Sequence, residues 1–320
     1  MKLSSMLPGL RERACPSCGS RDAAPEVISG GEVERQTLDA LRPYWFGINK
    51  ERRFFPYHRC GECGLLYNSI FFDGAQLAEL YGAMPPNMDL VPDEAIVATQ
   101  RGYFAEAAAR VELGGDYLEI GPDVGHIVRA ARETRRFGRF WLFEPNRAVH
   151  GRLRAAAPGA TILPGMDDLS PVPSGSVGLA VMVHVLDHLL DPIALLAEIR
   201  RTLDPAGTLM IVTHDESSLL RRLLGPRWPA FCLQHPELYN PRTIRDLLAR
   251  AGLETATVMR SANHFPVDFR ARQAAQAAGV RLGRLPLPKR AVKLRLGNML
   301  TLAHADQAAA AFRVPAESAA

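Results

Sequence analysis

The chain has 320 residues, 47% of them apolar, enough for two domains and for a sizeable buried core. Thirty-eight Lys and Arg against 34 Asp and Glu give a net charge of +4 and a pI near 8.9, and no long basic run interleaved with aromatics marks a nucleic-acid binder. No stretch approaches the ~18 apolar residues of a membrane span, and Pro8 and Arg11 break the N-terminus before a signal-peptide core can form, so a cytoplasmic protein is expected.

Two C-x-x-C pairs come first: CPSCG with Cys15 and Cys18, and CGECG with Cys60 and Cys63. Each ends in glycine, and such a turn aims backbone N–H groups at thiolate sulfurs. A tetrahedral zinc site built from all four cysteines is the reading, structural because four thiolates leave no open position. The alternatives are a redox pair, disulfides or unrelated thiols. A redox motif occurs once, at the start of a helix after a strand, and disulfides fit poorly in a reducing compartment. Cys232, between Phe231 and Leu233, reads as a small buried hydrophobe. Between the pairs, Tyr44, Trp45, Phe46, Phe54, Phe55 and Tyr57 are expected to build a satellite core. After them, LLYNSIFFDGAQLAELYGAM ends in a short helix, and MPPN (Met84 to Asn87) marks a boundary. Residues 1–85 are thus read as a zinc-ribbon-like module, and 86–112 as a helical linker holding an alanine-rich amphipathic helix from Asp93 onward.

The most telling segment follows, DYLEIGPDVGHIVRAA from Asp116, with GRFWLFE from Gly138 to Glu144. An apolar strand ends at Gly121, the chain turns, and Gly125 opens a helix whose free N–H groups favour an anionic group. The second strand ends at Glu144, 23 residues after Gly121, where a carboxylate can bind both hydroxyls of a ribose. A dinucleotide fingerprint would read G-x-G-x-x-G; this chain has G-P-D-V-G-H, which argues against NAD and an NAD-linked oxidoreductase.

Further on, strands are expected at 116–120, 138–143, 160–163, 177–183 and 207–213, and helices at 125–136, 146–157, 191–203 and 241–251. The alternation implies a parallel sheet with right-handed crossovers. Leu253 to Met259 and Asn298 to His304 supply a final pair. Between them, residues 261–296 carry Arg270, Arg272, Arg281, Arg284, Lys289, Arg290, Lys293 and Arg295 against Asp268 alone. This insertion is read either as a solvated cationic surface or as a contact for an anionic substrate or a membrane surface, with Pro286 and Pro288 interrupting any long helix. The main domain spans 113–305, and 306–320 is a tail.

These motifs resemble those of class I S-adenosylmethionine (SAM) dependent methyltransferases. Glu119, Gly121 and Gly125 fill three positions of an E/D-x-G-x-G-x-G motif, with Asp123 in place of the middle glycine. HVLDHLLDP (His184 to Pro192) is similar to that family's "HVLEHLPDP", and IRRTLDPAGTLMIVTHD and GPRWPAFCLQHPELYNPRTIRDLLARAGL resemble its fifth-strand region and its lid with the following helix. With the cysteine pairs, the chain resembles bacterial sugar and natural-product methyltransferases with an N-terminal zinc region. The resemblance implies an α/β Rossmann-like class I methyltransferase sheet, parallel with one antiparallel final strand, plus a small N-terminal zinc-ribbon module. It further implies that Glu119 and the Gly121–Asp123–Gly125 turn hold the methionine part of SAM, Glu144 the ribose, and Met166, Asp167 and Asp168 the adenine. Asp123 either pairs with the cationic cofactor or narrows the pocket. Gly178 stands where the family often has aspartate.

Methyl transfer needs a base only where the acceptor must lose a proton. The candidates are His235, then His184, which is alternatively a cofactor contact, and Tyr239 in the lid; His188, His214 and Asp215 lie nearby. A neutral imidazole titrates near working pH and can take a proton. The expected activity is methyl transfer to oxygen or carbon of a small or carrier-linked acceptor, a sugar or secondary metabolite. The competing reading is a non-catalytic binding or assembly protein with a degenerate SAM site. Nucleic-acid methylation is disfavoured, because HVLD stands where N-P-P-[YFW] would.

Overall fold

The computed structural model describes residues 7–29, 32–45, 53–82, 93–166, 168–266 and 291–305. The N-terminal part comprises β1 (Arg11–Glu12), β2 (Ala23–Val27), α1 (Leu38–Trp45), β3 (Tyr57–Cys60), β4 (Leu66–Asn68), β5 (Ile70–Phe71) and α2 (Gly74–Gly82). A long helix, α3 (Asp93–Ala108), leads into an alternation of β6 (Asp116–Ile120), α4 (His126–Glu133), β7 (Phe140–Phe143), α5 (His150–Ala156), β8 (Thr161–Leu163), β9 (Val177–Val183), α6 (Pro192–Thr202) and β10 (Leu203–His214). After it come α7 (Leu219–Leu224), β11 (Glu237–Leu238), α8 (Pro241–Arg250), β12 (Leu253–Arg260), β13 (Asn263–Pro266), β14 (Ala291–Leu294) and β15 (Asn298–Ala305).

Seven strands form the main sheet in the order β12-β15-β10-β9-β6-β7-β8. Only β15 runs antiparallel to its neighbours, β10 and β12; every other pairing is parallel. This is the Rossmann-like sheet the sequence led us to expect. Successive side chains of a strand point to opposite faces, and the two faces carry separate cores. Tyr117, Leu142, Leu179, Val181, Met210 and Val212 pack with Phe104 of α3, Ile127 and Val128 of α4 and Leu153 of α5. Leu118, Ile120, Phe143, Met182 and Ile211 pack with Leu196 and Ile199 of α6 and Ile244, Leu247 and Leu248 of α8. Sheets covered on both faces need continuous apolar strands, which is why β7 reads FWLF and is buried throughout.

The helices start where the sequence provides caps. Asp191 accepts from the Ala194 N–H ahead of Pro192, and Asn240 with Thr243 forms a reciprocal capping box ahead of Pro241. Gly178 has a steric cause: a Cβ there would lie 2.0 Å from the Gly114 carbonyl oxygen, so no aspartate fits at this position of β9.

Four strands, β11-β4-β3-β2, build a second, antiparallel sheet. Its edge strand β11 comes from the lid segment, about 170 residues beyond β4, with Glu237 opposite Tyr67 and Leu238 opposite Leu66. The aromatics between the cysteine pairs divide between two clusters. Trp45 and Phe55 pack with Phe71, Phe72 and lid residue Leu233, whereas Phe54 and Tyr57 pack with lid residues Trp228, Phe231 and Leu238. Phe46 lies outside the described residues, as do Met84 to Asn87 and the tail. Cys15, Cys60, Cys63, Leu65 and Tyr67 belong to the same core as α6 and α8. Of the basic insertion, β13 and β14 form an antiparallel pair; Asp268, Pro286, Pro288 and the basic residues at 270, 272, 281, 284, 289 and 290 lie outside the described residues. Among the described residues no helix is long and apolar enough to cross a membrane.

Candidate functional site

The C-terminal ends of β6, β7, β9 and β10 meet along one rim of the sheet, the edge where open α/β folds bind ligands. At the end of β6 the turn passes through Gly121 (φ +67°), Asp123 (φ +48°) and Gly125 (φ +80°) before α4 begins. All three are left-handed. Asp123 therefore keeps the backbone shape that a glycine would adopt, a conformation aspartate tolerates better than most residues. Its N–H donates to Glu144 Oε2 (2.9 Å), and the Asn146 N–H donates to Glu144 Oε1 (2.8 Å). Burial pushes the Glu144 carboxyl up, against those two N–H groups. Glu119, fully enclosed behind the turn, accepts from the Tyr117 hydroxyl. Burial raises it to about 8, the Tyr117 hydrogen bond opposing and the Glu144 charge adding to the effect. Met166 packs against the core beside β8, while Asp168 is exposed and accepts from the Ser170 N–H. Asp167 lies outside the described residues.

Across the rim, one buried carboxylate is ringed by imidazoles. Asp187 Oδ2 lies 2.5 Å from His214 Nδ1, and the ring of His214 lies 4.7 Å from that of His184 and 4.8 Å from that of His235, centroid to centroid. His188 stacks edge-on to His235 at 4.7 Å, and its Nδ1 lies 2.9 Å from the Tyr81 hydroxyl of α2. Burial opposes the charge on Asp187, but the His214 hydrogen bond and the surrounding imidazoles hold it well below the usual carboxylate range. Burial together with neighbouring imidazoles lowers His184 and His188 to about 3, so both are neutral. His184 stands at φ +51°, a strained position for a histidine, where the chain leaves β9.

His235 differs from expectation. Its Nδ1 lies 2.7 Å from the Ala230 carbonyl and 3.3 Å from Cys232 Sγ. Burial works against its protonated form, yet Cys232, Asp187 and the Ala230 carbonyl hold it up to about 9. His184 and His188 are neutral, burial lowers His214 as well against its Asp187 hydrogen bond, and His235 carries the proton that balances Asp187. Because Nδ1–H donates to Ala230, Nε2 is the nitrogen that gives up or takes a proton. Tyr239 is engaged elsewhere: its hydroxyl donates to Glu237 Oε2 (2.7 Å), and Glu237 pairs with Arg13 of the N-terminal part. Burial and the Glu237 charge raise the Tyr239 phenol far above the ordinary tyrosine range, so it orders the lid and is a poor proton acceptor. Asp215 caps its own turn through the Ser217 N–H and hydroxyl. Asp187 and Tyr81 are the two site residues that the candidate set lacked. Both lie inside segments quoted from the sequence, and the signal for Asp187 was its place between two histidines in HVLDH.

The two cysteine turns are alike. Gly19 N–H donates to the Cys15 carbonyl (2.8 Å) and Gly64 N–H to the Cys60 carbonyl (3.0 Å). Sγ of Cys15 lies 3.5 Å from that of Cys63, as does Sγ of Cys18 from that of Cys60, and all four sulfurs fall within 4.8 Å of one another. Tetrahedral zinc with bonds of ~2.3 Å sets sulfurs roughly 3.8 Å apart, so the donor set fits. Burial raises the Cys15 and Cys63 thiols, whereas at Cys60 the N–H groups of Cys63 and Glu62 outweigh burial and bring the thiol down to about 7, the stabilisation a thiolate ligand needs.

A family model described as a methyltransferase domain matches residues 98–258. No curated protein matches. Among solved structures, a complex of the Haloferax volcanii Trm112 methyltransferase activator with a methyltransferase is 22% identical, covering 64% of this chain and 90% of that one at a TM-score of 0.47. A SAM-dependent methyltransferase from Leishmania major is 12% identical, covering 72% and 81% at 0.49. Another, from Mesorhizobium loti, is 19% identical, covering 65% and 99% at 0.45. With half its length matched by the family model and its glycine turn and acidic rim in place, this chain belongs to the SAM-dependent methyltransferase domain family.

Proposed function

We propose that the enzyme methylates oxygen or carbon of a small or carrier-linked acceptor, a sugar or secondary metabolite, using the imidazoles around Asp187 to remove the acceptor's proton. The observation that carries this reading is the cluster itself, four histidines and one buried carboxylate beside the glycine turn and under an aromatic lid. When bound, SAM supplies a methyl group already activated on a sulfonium. What remains for the chain is to position, to exclude water and to handle a proton. The Gly121 to Gly125 turn and Glu119 would hold the methionine part, Glu144 would accept from the ribose hydroxyls, and Met166 with Asp168 would line the adenine. Trp228 and Phe231, buried against the N-terminal sheet, close the acceptor side to water. Nε2 of His235, fixed as the titrating nitrogen by the Ala230 hydrogen bond, takes the acceptor's proton in the fraction of enzyme where the ring is neutral, a fraction that grows as pH rises towards about 9. His184, held neutral, faces the same cluster, and Tyr239 positions the lid. Cys15, Cys18, Cys60 and Cys63 hold a structural zinc that ties the two cysteine turns together. A carrier phosphate would meet the basic segment 261–296, of which Lys293 and Arg295 are described.

The test is His235→Ala. SAM affinity by isothermal titration should stay nearly intact while methyl transfer slows about a hundredfold. A loss below about fivefold shows that the acceptor needs no base, or that His235 is not the group that takes its proton.

A further inference from the structure

We infer that His184, Asp187 and His214 form a second metal site, one that binds a divalent transition metal and presents it to oxygen atoms of the acceptor. The inference rests on the acceptor-side reading above and deepens it. One donor atom from each of the three residues lies within 4.8 Å of the other two, a span that a single ion can gather. Two of these groups have polar atoms buried without a hydrogen-bond partner, His184 Nδ1 and Asp187 Oδ1. Orphaned buried acceptors and donors are costly and uncommon, and here two belong to one cluster of metal-binding side chains. The other nitrogen of His184, Nε2, lies 3.3 Å from the Asn298 side-chain amide. The amide nitrogen Nδ2 faces Nε2; a half-turn of the amide, exchanging Nδ2 for Oδ1, would let Asn298 accept from Nε2–H and leave the lone pair on Nδ1, the arrangement by which an outer partner fixes a ligating imidazole.

Two histidines and one carboxylate are a donor set for zinc, iron, cobalt or manganese, and unlike four thiolates they leave coordination positions open. On the acceptor-side reading those positions would face the acceptor, between the glycine turn and the lid. An acceptor bearing adjacent oxygens, a diol or a hydroxy-ketone, is the class such an ion would hold. His184 stands in left-handed backbone where β9 ends, with its ring 4.7 Å from that of His214. The site is separate from the cysteine cluster in residues and in chemistry, so the two metals can be told apart.

The test uses full-length protein with its cysteine site filled by zinc, titrated with cobalt(II) alone. One further equivalent should bind, with visible bands that lack thiolate charge transfer and with shifted imidazole N–H proton resonances. His214→Gln and His184→Gln should each lose that equivalent while keeping zinc, His214→Gln should keep SAM affinity as well, and Cys60→Ser should keep the extra equivalent. Asp187→Asn is the harsher variant, so the histidine variants and the wild-type stoichiometry decide the matter. Absence of the extra equivalent in wild type, or its survival in both histidine variants, overturns the site. SAM affinity measured on the same samples reports on the methyltransferase reading independently: failure of cobalt binding with SAM binding intact removes the metal only.

Discussion

Glu119→Gln should flatten the pH dependence of stability. A glutamate side chain ordinarily ionises near 4.5, whereas in the fold Glu119 does so near 8 because burial penalises its charge. Below 4.5 both folded and unfolded chains hold the proton and no penalty exists. Between 4.5 and 8 the unfolded chain has lost it while the fold retains it, so the folded state binds more protons and stability falls as pH rises. At about 1.4 kcal/mol for each pH step, the loss from this group reaches about 5 kcal/mol by about pH 8 and then levels off. Glutamine cannot titrate, yet it keeps an oxygen for the Tyr117 hydroxyl. Glu144, also raised, and Glu237, raised to about 7, leave a residual slope in both proteins; the difference between them isolates Glu119. Urea unfolding followed by circular dichroism from about pH 5 to about pH 8.5, with zinc in excess, measures it. The variant should gain about 3–5 kcal/mol relative to wild type across that range, and a difference that stays constant within about 1 kcal/mol would refute the buried-charge account.

Three further outcomes follow from the geometry. Glu144→Ala should weaken SAM binding by about 1–3 kcal/mol, the scale for losing a charged hydrogen-bond partner; an unchanged dissociation constant would mean that the ribose is held elsewhere. Gly178→Ala should destabilise the fold by about 1–3 kcal/mol or more, since its methyl meets a backbone oxygen that cannot swing away; a melting temperature equal to wild type would contradict the steric account. Protein purified without added metal should carry zinc at the four cysteines, and Cys15→Ser should lower thermal stability more than SAM affinity; four freely titratable thiols with no metal in elemental analysis would remove that site.

Much of the main sheet was legible because its central strands are unbroken apolar runs: 116–120 and 177–183 match β6 and β9 residue for residue. At β10 the expected strand, 207–213, lies inside the observed one but starts four residues late, since Asp204, Pro205 and Gly207 look like a turn, yet Leu203 already pairs with Val177 ahead of a bulge. The two residues of β11 are too short for any periodicity, and their partner is set by distant packing. The glycine turn and Glu144 were readable from spacing, whereas the conformation of Asp123 was not, because only the φ angle reveals that it imitates glycine. The protonation of His235 escaped for a similar reason. It depends on Cys232 three residues earlier folding back onto the ring, and on Asp187 arriving from another loop.

The late arrival of β11 bears on how the chain is made. During synthesis the cysteine turns and strands β2 to β4 emerge early, but β4 keeps an open edge until roughly 170 more residues have followed. At translation rates of ~5–20 residues per second that edge stays unpaired for about ten to thirty seconds, and unpaired edges invite pairing with other chains. An ion captured by the four cysteines in that interval would brace the waiting sheet. Metal supply would then influence how much of the newly made protein escapes aggregation, apart from any influence on the finished enzyme, and the N-terminal region could not be exchanged between relatives without the matching lid.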